Sequence, residues 1–148
     1  MSKILVLSAD HSGARDGVLT PLTAAVAAGA EGVKFAEVDV RHLDAAPART
    51  LSQYDAVILG APNSADPGLH QWLAQVESLT GADRPPDTVA AVFTPDGEPG
   101  PLLLAVARLG FLLVPAAAAP LTADSARALG RRVTTVAGWV RHAKSHAH

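Results

Sequence analysis

Hydrophobic and polar positions fall into two alternating patterns along the chain: short continuous apolar runs, and longer stretches with apolar residues three or four apart. Ile4-Leu5-Val6-Leu7 and Val57-Ile58-Leu59 are runs of the first kind, which predict strands covered on both faces. Val33–Val40, Thr88–Phe93 and Phe111–Val114 read as further strands, the last terminated by Pro115. Gly17–Ala28 reads as a helix that stops at Gly29, with Pro21 near its first turn. A short helix is expected at 47–53. Pro67-Gly68 opens a helix with Leu69, Trp72, Leu73, Val76 and Leu79 on one face. Pro99–Leu109 is a helix stopped by Gly110. Thr122 is the expected N-cap of a last helix reaching about Ala143, with Ala126, Leu129, Val133, Val136 and Val140 on its apolar face. Trp72 and Trp139 are both expected to pack against the body of the protein.

Five apolar strands alternating with helices predict an α/β fold, with a parallel sheet and helices on both faces. The doubly wound order 2-1-3-4-5 fits that count, as a three-layer sandwich spanning residues 1–143 with 144–148 as a tail. Such sheets bind ligands beyond the carboxyl ends of their strands, so the loops after strands one, three and four are the candidate site. At 148 residues, 49% hydrophobic and 18% charged, the chain is one globular domain. A net charge of -2 without a basic block excludes nucleic acid as an expected partner. The absence of cysteine removes disulfides and thiolate chemistry. The first apolar run is too short for a signal peptide or membrane span, so a cytoplasmic location away from membranes is expected. No histidine spacing in the domain body suggests a metal site.

Several segments carry a family resemblance. Lys3-Ile4-Leu5-Val6-Leu7 with Gly13, Tyr54-Asp55-Ala56-Val57-Ile58-Leu59-Gly60-Ala61-Pro62, Phe93 with Gly97 and Gly100, and Leu109-Gly110-Phe111-Leu112-Leu113-Val114-Pro115 together resemble the flavodoxin-like superfamily. The similarity is greatest to its tryptophan-repressor-binding-protein branch of NAD(P)H:quinone oxidoreductases and FMN reductases. The resemblance implies FMN as cofactor, with Ser12, Gly13 and Arg15 at the phosphate, and Pro62, Asn63, Ser64, Thr94 and Gly97 around the ring. It implies hydride transfer from NAD(P)H to a quinone-like or other small organic acceptor.

The loops also depart from that family. Asp10 stands where the family places a hydroxyl, and no aromatic residue occurs in the loop after strand three. The loop after strand four carries Asp96 and Glu98 and three prolines, which lack N–H donors. These features support a second reading, a cofactor-free enzyme. In it Asp10, His11, Asp66, His70 and Asp96 gather at the mouth of the sheet for acid–base chemistry, with Asp39 and His42 near the end of strand two. The reaction would be a dehydration, cyclisation or hydrolysis of a small molecule. The bland alternatives are a helix cap for Asp10 and a solvated surface position for His70. The Leu102–Leu109 helix offers an apolar surface for a homo-oligomer.

Overall fold

The computed structural model describes residues 2–9, 19–80, 87–116 and 121–145. Asp10, His11, Ser12, Gly13 and Arg15 lie outside the described residues. The elements are β1 (Ser2–Ser8), α1 (Leu19–Glu31), β2 (Ala36–His42), β3 (Ala56–Gly60), α2 (Pro67–Glu77), β4 (Val89–Phe93), α3 (Gly100–Arg108), β5 (Leu112–Leu113) and α4 (Ala123–Ser145). Two 3-10 turns, Leu43–Ala45 and Ala48–Gln53, connect β2 to β3. The strands form one parallel sheet in the order β2-β1-β3-β4-β5, as expected.

Register sets out the site. Ser8 pairs with both His42 and Gly60, and Gly60 pairs with Phe93. The carboxyl ends of β2, β1, β3 and β4 therefore lie in one row.

Alternation along the buried strands sorts side chains onto two faces. Leu5, Leu7, Val57, Leu59, Ala90 and Val92 pack with Leu69, Trp72, Leu73 and Val76 of α2 and with Leu102 and Val106 of α3. Ile4, Val6, Ala56, Ile58, Ala91 and Phe93 pack on the other side with Leu22 and Val26 of α1 and Leu129 and Val133 of α4. Trp72 is buried as expected, and its indole N–H donates to the Ala46 carbonyl at 2.7 Å, fastening the β2–β3 connection to α2. Trp139 departs from the expectation: it is 68% exposed. Thr122 caps α4 as predicted, its hydroxyl accepting from the Ser125 N–H at 3.1 Å while the Ser125 hydroxyl accepts from the Thr122 N–H at 2.8 Å. Among the described residues, no helix is long and apolar enough to cross a membrane.

The boundaries shift in two informative places. α1 continues through Gly29 to Glu31, because Gly29 is not a stop: a Cβ there would lie 2.0 Å from the Arg127 carbonyl oxygen. β2 starts at Ala36 rather than Val33, because the turn leaving α1 takes Gly32 and Val33, whose N–H groups donate to Ala28 and Ala30. Phe35 then enters the strand with a left-handed φ of 62°.

Asp39 lies within β2, opposite Leu5 and away from the mouth. It accepts a 2.6 Å hydrogen bond from the Tyr54 hydroxyl. Burial, then this bond, then the Asp39 charge push the Tyr54 phenol up from 10.0 to about 12. Because the neutral phenol is favoured in the folded state, its contribution to stability is full below pH 10 and is lost as pH rises from about 10 to 12. Tyr54 is the single tyrosine, so the tyrosinate absorbance of the folded protein is expected to titrate with a midpoint of about 12. Asp39→Asn should bring that midpoint down; a wild-type midpoint near 10 would contradict the geometry.

Candidate functional site

The row His42, Ser8, Gly60, Phe93 opens onto the loops that follow it. Sheet bonding runs one step further at its centre. The Ala9 N–H donates to the Gly60 carbonyl at 2.9 Å, and the Ala61 N–H donates to the Phe93 carbonyl at 3.1 Å. The roots of all three loops are thus held by backbone.

In the loop after β3, Pro62 and Asn63 are exposed and Ser64 half-buried. The Asn63 side-chain oxygen accepts from the Ala65 N–H at 3.0 Å, and its carbonyl accepts from the Asp66 N–H at 3.3 Å, closing a compact turn. Asp66 then caps α2: its carboxylate accepts from the Leu69 N–H at 2.9 Å, and the residue is 2% exposed. A cap of this kind is worth about 1 kcal/mol. Pro67 at the first helical position needs no N–H partner. His70 Nε2 meets the Ser64 carbonyl at 2.9 Å, which fixes this nitrogen as the N–H donor and pins the loop to α2.

In the loop after β4, Thr94 is fully buried and its hydroxyl donates to the Asp96 carboxylate at 2.5 Å. The Glu98 N–H donates to the same oxygen at 2.9 Å, and the Gly97 N–H closes the turn on the Thr94 carbonyl at 3.0 Å. Gly97 takes a φ of 73°, which glycine adopts without strain. These hydrogen bonds, from Thr94 first and the Glu98 N–H second, hold the Asp96 carboxyl below the usual carboxylate range. Asp96 is therefore a fixed negative charge on the rim of the mouth at neutral pH.

Asp66, His70 and Asp96, expected together at the mouth, each have a local partner in the described loops. Asp66 is a buried helix cap, His70 is a loop fastener, and Asp96 organises its own turn. His42 ends β2 and its Nδ1 accepts from the Asp44 N–H at 3.4 Å, while Asp39 faces Tyr54. Among the described residues, no group of three or more His, Asp or Glu is placed to hold a metal ion.

The sequence reading missed one feature of the mouth. Ser8, Thr20, Thr23, Arg41 and His42 line a cavity of about 280 Å³ between the start of α1 and the ends of β1 and β2. No acidic residue occurs among the first described residues of α1, Leu19 to Leu22. The available signal was Arg41-His42, a basic pair directly at a strand end. The Ser8, Thr20 and Thr23 hydroxyls belong to the cavity's side of the sheet, whereas Arg41 alternates with Val40 and shares with Asp39 the face of β2 that meets Tyr54.

No protein-family model matches the chain, and no curated protein matches it. Solved structures do. The oxidised flavodoxin 1 of Bacillus cereus superposes with a TM-score of 0.64 at 20% identity, covering 90% of this chain and 98% of that one. The flavodoxin of Streptococcus pneumoniae TIGR4 gives 0.65 at 12% identity, over 93% and 99% of the two chains. A flavodoxin from the domain Archaea gives 0.60 at 16% identity, over 92% and 99%. With the observed strand order, this likeness over nearly the whole of each chain identifies the fold as flavodoxin-like.

Proposed function

We propose that the chain binds FMN across the carboxyl ends of β1, β3 and β4 and acts as an NAD(P)H-dependent oxidoreductase on a quinone-like or other small organic acceptor. The observation that carries this reading is the aligned row of strand ends, beside which the cavity lined by Ser8, Thr20 and Thr23 opens. Ser12, Gly13 and Arg15 would meet the phosphate, together with Thr20 at the α1 side of the cavity. Bound FMN would supply the redox chemistry, accepting hydride from the nicotinamide and passing electrons on. The protein's part is positional and electrostatic. The Asn63–Asp66 and Thr94–Gly97 turns are closed by their own hydrogen bonds, so the walls are organised before a ligand arrives. The Asp96 charge on the rim opposes any further negative charge developing near it.

The cofactor-free reading keeps one supporting observation, the Asp96 and Glu98 pair beside a β3 loop, Asn63 to Pro67, without aromatic residues. Its candidate acids and bases are Asp10, His11, Asp66, His70 and Asp96, with Asp10 and His11 the first to test. A visible spectrum and an FMN titration of the purified protein separate the two readings. Flavin absorbance on purification, or saturable binding at micromolar FMN, is the expected result. A colourless protein that ignores FMN would sink the flavin reading. Asp10→Asn and His11→Ala would then be assayed for loss of turnover in a coupled pathway assay.

A further inference from the structure

The end of the sheet opposite the mouth holds a second concavity. It lies where β1 and β2 begin and where α4 passes them, and it encloses about 330 Å³, within the range of small-ligand sites. Two aromatic side chains stand at it, Phe35 at 77% exposure and Trp139 at 68%. Large exposed aromatics grouped at a concavity mark recognition surfaces rather than ordinary surface scatter. Phe35 is held in the left-handed region, unfavourable for a bulky residue, and its carbonyl is fixed by the Ser2 N–H at 2.9 Å. Gly138 leaves the α4 wall open, since a Cβ there would only approach the Ser2 hydroxyl, at 3.9 Å.

The polar groups point to a ligand class. Ser2 lines the concavity, and its hydroxyl is open to it rather than a buried unsatisfied group. Lys34 is the one charged residue in the lining, and no carboxylate among the described residues pairs with it. Aromatic walls, an open hydroxyl and an unpaired ammonium together suit a flat apolar body that carries one negative charge.

We propose that this concavity is a binding site for a small planar aromatic carboxylate. Its ring rests against Phe35 and Trp139, and its carboxylate accepts hydrogen bonds from the Ser2 hydroxyl and the Lys34 ammonium. The site lies at the far end of the sheet from the mouth and does not depend on flavin binding.

The test is isothermal titration calorimetry of the full chain with 2-naphthoate. One-to-one binding in the micromolar range is expected, undisturbed by added FMN. Trp139→Ala and Lys34→Gln should each weaken it about tenfold, as loss of a stacking wall or a charge-assisted bond would. Uncharged 2-naphthamide should bind about tenfold more weakly than the acid to the wild type and about equally to both Lys34 forms. Both variants alter exposed side chains, and circular dichroism would verify that they fold. Absence of heat up to millimolar 2-naphthoate, or unchanged binding in both variants, overturns the proposal. So does a wild-type dimer in sedimentation equilibrium that Trp139→Ala dissociates, because a second copy would then cover the concavity.

Discussion

Gly130→Ala is expected to destabilise the protein by about 3 kcal/mol, although alanine is the better helix former by about 1 kcal/mol. The reason is the crossing of α1 and α4. A Cβ at Gly130 would lie 2.0 Å from the Val26 carbonyl oxygen, and a Cβ at Gly29 would lie 2.0 Å from that of Arg127. Each helix thus places a glycine against the other's backbone. A backbone carbonyl cannot rotate aside as a side chain can, so the helices must separate. Separation loosens Leu22, Val26, Leu129 and Val133 against the sheet. Gly29→Ala should behave the same way. Gly100→Ala is the control: nothing lies within 4 Å of its added Cβ, so little change is expected. Urea unfolding of the three variants measures this directly. Equal midpoints for Gly130→Ala and Gly100→Ala would show that the helices do not meet this closely.

Phe93→Ala is expected to cost about 3–5 kcal/mol through the cavity it leaves. Phe93 is among the largest fully buried side chains, and its ring covers its sheet neighbour Gly60. A Cβ at Gly60 would meet that ring at 2.4 Å, so Gly60→Ala overpacks the same place and is expected to cost about 1–3 kcal/mol. The two changes should not add. In the double variant the alanine at position 60 occupies space the ring has vacated, and a coupling of about 1–2 kcal/mol is expected. Denaturant unfolding of the four proteins in this cycle gives the coupling. A value near zero would mean that the ring does not lie over Gly60.

The same two contacts show what could be read from the chain and what could not. Val57-Ile58-Leu59 announces a buried strand because burial on both faces demands a continuous apolar run, and β3 is found there. Gly60 was legible as a turn residue, yet its contact with Phe93 joins two separate strands. Gly29 was read as a helix stop because a glycine breaks local propensity, whereas its function is set by Arg127, distant in sequence. Trp139 was expected to pack because a large aromatic side chain ordinarily does, but it is left exposed. At the site, the loop positions were legible from topology. The duties of Asp66, His70 and Asp96 were not, because each is decided by a hydrogen bond whose geometry only the folded loops define.

The sheet's two margins differ in a way that bears on solubility. β5 has two residues, too few to template an added strand. β2 has seven and forms the opposite edge, but it carries Glu37, Asp39 and Arg41 at alternate positions. A foreign strand approaching β2 would have to settle its own side chains against this charged row. Neither margin invites sheet-to-sheet growth, so the fold carries its protection against fibrillar association at its edges.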